Sequence, residues 1–553
     1  MKKASLALLV CLAVFMASTG CQKKENAATA AAVDYGARTT GPNYWWVKFD
    51  KPVTLHIVNN ERPSTPFLPG DDVTKNEWTR GFKEQLNVDI VTDWVAGNTG
   101  YTEKLNLAIA SNTLPDVLWV NPTQFRQLVE AGMTADLTDY IENNCSDMVK
   151  NIMAAAPIVT ETAKVNGRLM GLPSYGYGDL WNMYTLWIRH DWLQQSGLGE
   201  PKTFDDMEKI MDTFMKANPG SYGIGVTKNL DEFFWAASAF GALPKIWIDA
   251  PDGSLVYGSV QPQMKAALEK FADWYKRGYL KKDFTSAENR DIVNDIAAGK
   301  LGMHIWTNWA GWMYVDAIKA LGLDSYMEPY QIPSGNGPYI APLPLDNSNY
   351  IVVNKNCKNI PAVLKCISYH TWVCMEATRQ KALTEEQVNR YLLGGEGRHD
   401  LVMFELNDPY SGGAALGEWA HKIALNNYQV TDEPMTSEWM SQYEQAAPWW
   451  RDHSLDGYGR WIQMYAPRSS AWNDIQVWNE GRYYMDRMTG PLPEVALPYG
   501  NTLNDLLIEG FTKIIIGDQP VSYFDTLVAE WKTSGGDIVT QAVNKEYGKK
   551  KTP

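Results

Sequence analysis

Hydrophobic positions along the first part of the chain predict strands that alternate with helices. Three apolar runs have the length and composition of strands, at Val53–Val58, Val88–Val91 and Asp116–Val120. Helical segments separate and follow them, at Thr74–Leu86, Tyr101–Ser111 and Phe125–Ala131. This β-α-β-α-β order favours an open, mostly parallel sheet with helices on both faces.

A second α/β pattern begins near Tyr184. After a predicted strand at Thr185–Ile188, Thr203 can cap a helix whose apolar residues repeat with helical spacing, at Met207, Ile210, Met211 and Phe214. Further elements are predicted in order: a strand at Tyr222–Val226, a hairpin at Trp247–Tyr257, a helix at Gln263–Arg277, strands at Leu301–Ile305 and Tyr350–Val353, and a helix from Pro361 to Cys374. The chain from Leu416 onward is predicted to be mostly helical. The whole pattern indicates an α/β protein.

The first residues have the features of an export signal. Lys2 and Lys3 precede an apolar stretch, Ala4–Ala17, which is short for a membrane span. The small residues that follow and Cys21 resemble the bacterial lipobox, although Ser18 stands where that motif usually has Leu. The resemblance implies a lipid on Cys21, and a plain secretory signal is the alternative. Residues 1–20 are thus predicted to be a signal peptide and 21–51 a lipid-anchored tether, which would hold the protein outside the cytoplasm on the cell membrane.

Composition restricts the partners of the 553-residue chain. Its net charge of −14 disfavours nucleic acid, which is a polyanion. Its 23 Trp and 28 Tyr indicate flat apolar surfaces for a ligand. Four cysteines remain beyond the N-terminal region, at positions 145, 357, 366 and 374, and they are interpreted as free thiols.

Catalytic and metal-binding signatures are missing from the sequence. It contains no HExxH, GxSxG or P-loop pattern, and its histidines have no metal-ligand spacing. Asp249, Asp252 and Ser254 are interpreted as a turn and not as a calcium loop. We therefore expect no cofactor, no metal and no enzyme activity. A glycosidase needs only two carboxylates, so a carbohydrate-active hydrolase or lyase stays an alternative.

Several segments occur in the order found in family 1 extracellular solute-binding proteins. The most specific is RHDWLQQSGLGEPKTFDDM, residues Arg189–Met207. Five others follow the same family order, at Ala110–Val120, Glu130–Ile141, Asn166–Pro173, Ala297–Ile305 and Ile514–Val539. The chain therefore resembles this family, and its length and Trp content are most like the large lipoproteins that supply oligosaccharides to ABC importers.

The resemblance implies a two-lobed periplasmic-binding-protein-like fold of type II, with a ligand cleft between hinge-linked lobes. The first lobe would comprise residues 52–165 and 346–413, the second 166–335 and 414–553, with a hinge crossing at 336–345. It further implies an oligosaccharide ligand, permease subunits of an ABC importer as partners, and a monomer. A receptor for peptides with the same fold is another alternative.

Ligands of open α/β sheets bind beyond the carboxyl ends of the strands. This rule, together with the polar and aromatic side chains that suit a sugar, selects nine candidates: Asn60, Glu61, Arg62, Asp93, Trp94, Asn121, Trp306, Asn308 and Trp309. Tyr175, Tyr177 and Trp181 are added because the resemblance implies a crossing there that lines the cleft floor. Arg468 and Trp472 are added from the segment Tyr465–Trp472, which is either a ligand loop or a turn.

Overall fold

A computed structural model describes residues 44–61, 67, 69–174, 183–345, 349–375, 391, 404–406, 414–431 and 437–548. Its strands are β1 Val53–Glu61, β2 Val88–Gly97, β3 Val117–Val120, β4 Lys164–Val165, β5 Arg168–Leu169, β6 Leu172–Pro173, β7 Tyr184–Arg189, β8 Trp247–Asp249, β9 Leu255–Tyr257, β10 Met303–Thr307, β11 Met327–Tyr330, β12 Ala341–Leu343, β13 Tyr350–Val353 and β14 Tyr483–Met485.

Helices surround these strands. In the first half they span Glu77–Gly81, Asn98–Ser111, Pro122–Glu130, Thr138–Asn144, Asp147–Ala155, Pro157–Thr162, His190–Ser196, Phe204–Ala217, Asp231–Ala237 and Met264–Arg277. Further along they span Asn289–Ala297, Val315–Leu321, Ile360–Met375, Ala414–Leu425, Ser437–Asp452, Tyr458–Arg460, Ser470–Asn479, Gly500–Ile515, Tyr523–Trp531 and Asp537–Tyr547. The predicted helix after Thr203 is confirmed, because Thr203 and Asp206 form a reciprocal capping box at its start.

The first sheet has the order β2-β1-β3-β13-β6. The pairs β1–β2 and β1–β3 are parallel, as predicted, whereas β13 runs antiparallel to both β3 and β6. The antiparallel strand enters the sheet opposite Val120, because Tyr350 pairs with that residue. The sheet is therefore mixed, and the end of β3 lies beside the start of β13.

The second sheet, β10-β7-β11, is wholly antiparallel. Its central strand starts at Tyr184, which pairs with Thr307 at the end of β10. The strand predicted at Tyr222–Val226 is reduced to isolated bridges, Tyr222 with Leu301 and Gly225 with His304. The predicted hairpin is confirmed as β8 and β9.

Buried side chains divide the described chain into two lobes. One hydrophobic cluster contains residues 45–172 and 350–406 and surrounds the first sheet. Two clusters on the second sheet draw on residues 183–343 and 416–543. Leu169 and Leu172 belong to the first cluster, which extends the first lobe beyond the predicted residue 165. Ala341 and Leu343, within the predicted crossing 336–345, belong to a second-lobe cluster and pair through β12 with β14.

Packed structure also begins earlier than residue 52. Trp45 is 7% exposed within the first cluster, and its ring meets Trp46 and Trp372. Lys365 donates from Nζ to the backbone oxygen of Val47 at 2.8 Å. These contacts join the segment to the helix Ile360–Met375, so the predicted tether 21–51 is too long at its carboxyl end.

Arg126 links the two lobes directly. It lies on the helix Pro122–Glu130, which starts at the end of β3, and its guanidinium donates to both carboxylate oxygens of Glu546, at 2.5 and 3.2 Å. The same guanidinium donates to the hydroxyl of Tyr547 at 2.9 Å and to the backbone oxygen of Pro491 at 3.0 Å. This bidentate contact joins the carboxyl edge of the first sheet to the C-terminal helix of the second lobe.

Cys145, Cys357 and Cys366 are buried and Cys374 is half-buried, and none of these four cysteines forms a disulfide. Among the helices that the structure describes, none combines the length and the apolar character needed to cross a bilayer.

Candidate functional site

The crossings between the lobes meet the sheets at defined edges. The backbone of Ser174 donates to the oxygen of Asn349 at 2.8 Å, next to the start of β13. In the second lobe the corresponding edge is the start of β7 at Tyr184 and the end of β10 at Thr307. Residues that follow β1, β3 and β10 therefore lie at the edges of the cleft.

Three first-lobe candidates lie at this edge. Asn60 and Glu61 are the last residues of β1, which runs three residues further than predicted. Asn121 directly follows β3, and its side chain accepts from the backbone of Gln124 at 2.9 Å. Asn121 therefore caps the helix that carries Arg126, which is a structural role at the cleft edge.

Asp93 and Trp94 do not follow a strand as predicted, because β2 continues to Gly97. The register shifts between Ile57 and Val58, so Asp93 is a bulge within β2. Its carboxylate lies 2.7 Å from Nδ1 of His56, while the ring of Trp94 packs on Tyr101 at 5.4 Å. Both residues thus lie on the first sheet, short of its edge.

Trp306, Asn308 and Trp309 lie together at the edge of the second sheet. Trp306 is inside β10 and only 7% exposed, whereas Trp309 is 37% exposed and its ring lies 5.8 Å from that of Trp306. An exposed indole supported by a buried one is a rigid platform. A second platform at the same edge was missed by sequence reasoning: the half-buried rings of Tyr184 and Trp235 stack at 4.9 Å.

Asn308 is buried and binds a buried acid. Its amide nitrogen donates to Oδ2 of Asp474 at 2.8 Å, and its backbone oxygen accepts from the hydroxyl of Ser470 at 2.6 Å. Burial raises the pKa of the Asp474 carboxyl well above its ordinary value of 3.8, against the opposing effect of the hydrogen bond from Asn308. This buried acid joins the cleft edge to the helix Ser470–Asn479.

The same helix forms one wall of a cavity of about 590 Å³. Two of the candidate ligand-binding residues, Arg468 and Trp472, line the cavity, and its lining combines aromatic, charged and amide groups. Its lining residues are Tyr326, Glu328, Tyr428, Trp461, Ile462, Ala466, Pro467, Arg468, Trp472, Asn473 and Gln476. We call this cavity the side pocket. The other nine were missed by sequence reasoning. Tyr326 and Glu328 were missed because residues 326–349 are rich in Pro, Gly and Asn, which is the composition of a linker.

An ionic network borders the side pocket. Arg468 donates from Nη1 to Glu200 at 2.6 Å, and its Nε lies 3.7 Å from Glu328. Glu328 also lies 3.1 Å from Nδ1 of His190 and accepts from the hydroxyl of Tyr330 at 2.7 Å. Burial opposes ionisation of Glu328, but the hydrogen bonds from His190 and Tyr330 and the charge of Arg468 outweigh it, so its pKa is lowered.

Stacked rings hold the aromatic lining in place. Trp472 stacks on His421 at 3.8 Å, and Tyr428 stacks on Trp450 at 4.3 Å. The indole of Trp461 donates to the hydroxyl of Tyr428 at 2.9 Å. These contacts position the pocket side chains before any ligand arrives, which lowers the entropy cost of binding.

Arg62, Tyr175, Tyr177, Trp181 and Cys21 lie outside the residues that the structure describes. Within the described ranges, no group of three or more His, Cys, Asp or Glu side chains is arranged to hold a metal ion. Asp252 accepts from the backbone and hydroxyl of Ser254 at 3.0 and 2.6 Å, as expected for a turn.

Two lobes joined by crossings, with aromatic and polar groups at the edges between them, define a binding protein of the periplasmic two-lobed class. The model of the bacterial extracellular solute-binding protein family matches residues 70–371, more than half of the chain. The chain belongs to this family. The predicted family and fold class are therefore confirmed.

Individual relatives agree with this assignment. Lipoprotein LipO of Bacillus subtilis (strain 168) is 22% identical over 506 residues, which cover 87% of this chain and 90% of LipO. The crystal structure of alginate-binding protein AlgQ2 without calcium ion has a TM-score of 0.56 at 17% identity, covering 90% of this chain and 98% of AlgQ2. The substrate-binding protein FusA of S. pneumoniae in complex with kestose has a TM-score of 0.54 at 16% identity, covering 89% and 98%.

The raised pKa of Asp474 predicts a specific pH dependence of stability. The folded chain keeps this proton above pH 4, while the unfolded chain loses it, so folding binds a proton and stability falls as pH rises. Asp474→Asn mimics the neutral acid and should remove this component. Urea unfolding from pH 4 to 8 should show the variant gaining stability relative to the wild type as pH rises. The exposed control Asp518→Asn should show no such trend, and a parallel pH profile for Asp474→Asn would contradict the neutral acid.

Proposed function

We propose that the chain is the substrate-binding lipoprotein of an ABC importer, which captures an oligosaccharide in an aromatic-lined cleft and delivers it to the permease. The observation that carries this proposal is the side pocket, where Trp461, Trp472 and Tyr428 occur beside the amides of Asn473 and Gln476. A pyranose has an apolar C–H face that packs on indole or phenol rings. Its hydroxyls donate and accept hydrogen bonds, which amides and carboxylates satisfy.

The cleft edge extends this surface. Trp309 and the Tyr184–Trp235 stack lie where the second sheet faces the crossings, and Asn308 and Asp474 connect that edge to the pocket helix. A longer saccharide would contact both places. We propose Asn60, Glu61, Arg62 and Asn121 as its partners from the first lobe, together with Tyr175, Tyr177 and Trp181 from the crossing, with Asp93 and Trp94 retained as candidates on the first sheet.

The relatives support the biological setting. LipO is named a lipoprotein, FusA is titled an ABC-transporter substrate-binding protein, and AlgQ2 is titled alginate-binding. By this analogy the protein acts as an extracytoplasmic monomer that is anchored through a lipid on Cys21 and performs no reaction on its ligand.

Thermal unfolding of the chain from Gln22 onward, against oligosaccharides and peptides, tests the proposal. A bound ligand at 100 times its Kd stabilises the folded state by about 2.7 kcal/mol, which raises the midpoint measurably. We expect this shift with an oligosaccharide that chromatography recovers intact. A shift only with peptides would contradict the sugar ligand, and cleavage of the glycan would reveal an enzyme.

Two tryptophans of one helix provide a matched pair of variants. Trp472 lines the side pocket, whereas Trp478 stacks on Tyr483 at 4.3 Å and does not line it. Trp472→Ala should weaken oligosaccharide binding about tenfold or more, because the buried contact area of one ring is lost. Calorimetry should find the affinity of Trp478→Ala within about twofold of the wild type. Equal losses in both variants would place the ligand elsewhere.

The anchor has its own test in the native host. Cys21→Ala removes the thiol that would carry the lipid, so the protein should leave the membrane fraction, and mass spectrometry should detect no acylated N-terminus. Cys374→Ala should stay membrane-bound. If Cys21→Ala also stays in the membrane fraction, the anchoring proposal is wrong.

A further inference from the structure

The charges of the side pocket are internally balanced. Arg468 and Glu328 are the charged members of its described lining, and they carry opposite signs. Glu200 adds a second carboxylate behind Arg468, at 2.6 Å from its Nη1. The guanidinium is therefore shared between two carboxylates before any ligand is present.

The planar face of Arg468 is also occupied. Its guanidinium lies over the ring of Tyr330, 4.7 Å from the centroid. A ligand carboxylate would have to displace the Glu200 contact in order to form a bidentate pair with Arg468. In that exchange Glu200, which is only 25% exposed, would lose its arginine partner and keep its ion pair with Lys202, at 2.7 Å.

Glu328 presents a negative charge to the pocket. Its Oε2 is held by the hydroxyl of Tyr330 and lies 3.1 Å from the His190 ring, and the side chain is 18% exposed. An ionised carboxylate accepts hydrogen bonds but donates none. It therefore attracts sugar hydroxyls and repels a second carboxylate in the same cavity.

Asn473 supplies the complementary donor. The residue is 5% exposed and lines the pocket, and its amide nitrogen has no hydrogen-bond partner among the described residues. A buried donor without a partner is costly, and a ligand oxygen relieves that cost. A ligand hydroxyl can accept a hydrogen bond from Asn473, and a ligand hydroxyl can donate one to Glu328.

From these contacts we infer that the side pocket selects an uncharged, hydroxyl-rich sugar unit, so that the ligand is a neutral oligosaccharide and not an oligouronate. The inference rests on the proposed function and specifies its substrate class. Both classes occur among proteins of this fold, since AlgQ2 is alginate-binding and FusA was solved with kestose.

Calorimetry with matched neutral and acidic probes tests the inference. We would compare neutral tetrasaccharides of galactose, mannose, glucose and fructose with tetramers of galacturonate and of alginate, at 50 and 500 mM NaCl. A neutral probe should bind at least tenfold more tightly than every oligouronate, with an affinity that changes less than twofold with salt. Tighter, salt-sensitive binding of an oligouronate would overturn the inference and leave the proposed function intact. If no saccharide of either class binds, the proposed function itself fails.

Variants of Glu328 and Glu200 test whether the charge of these carboxylates, and not the shape of the pocket, determines which saccharide binds. Glu328→Gln should weaken binding of the neutral probe about fivefold or more, because it removes an ionised acceptor. It should strengthen oligouronate binding, because it removes the repelling charge. Glu200→Gln leaves the pocket lining unchanged and releases Arg468, so it should also strengthen oligouronate binding. The control Glu480→Gln breaks an ion pair with Arg482, outside the pocket lining, and should change neither the affinity for the neutral probe nor that for an oligouronate. If the ratio of these two affinities is unchanged in both Glu328→Gln and Glu200→Gln, the charge argument is contradicted.

Discussion

In each sheet, one strand starts beside the end of an antiparallel neighbour, and the rest of the molecule depends on this arrangement. β13 enters the first sheet at Tyr350, opposite the end of β3, and β7 starts in the second sheet at Tyr184, opposite the end of β10. The crossings between the lobes therefore reach each sheet at the edge where other strands finish. Residues that follow those strands therefore lie at the edge of the space between the lobes.

Burial and charge pairing then prepare the site. Asp474, whose pKa burial raises, accepts a hydrogen bond from Asn308, so the cleft edge and the pocket helix form one unit. Around the side pocket, Arg468 is shared between the carboxylates of Glu200 and Glu328, and stacked rings fix Trp472 and Tyr428. Groups that are positioned in advance lose little entropy when the ligand binds, and an arginine that is already paired favours ligand hydroxyls over a ligand carboxylate. Arg126 adds a link between the lobes that any change in their relative orientation would have to break.

Much of the fold was accessible from the sequence because apolar periodicity reports burial directly. The strands at Val53, Val88, Val117 and Tyr350 and the capped helix after Thr203 follow from that pattern. The lengths of the strands do not follow from it, because β2 continues through polar Thr92 and Asp93, where a bulge shifts the register of its pairing with β1. Strand direction in the second sheet depends on where the crossings enter, and hydrophobic periodicity contains no information about that.

The site was harder to predict than the fold. Arg468 and Trp472 were selected from a segment interpreted as a ligand loop or a turn, and both line the side pocket, but Glu328 lies in a short strand within a stretch of linker-like composition. Asn473 gains its role from burial, which follows from the packing of its helix and not from its neighbours in sequence. Recognition of a hydroxyl depends on which donors lack partners, and that is a property of the folded chain.

A crystal structure of the complex with the tightest-binding neutral oligosaccharide tests the central claim most directly. We predict density for a sugar ring in the side pocket, packed against Trp472, with sugar hydroxyls within hydrogen-bond distance of Asn473 Nδ2 and of the Glu328 carboxylate, and with the Arg468–Glu200 pair intact. A sugar bound elsewhere with the side pocket empty, or a ligand held by a displaced Arg468, would contradict the account.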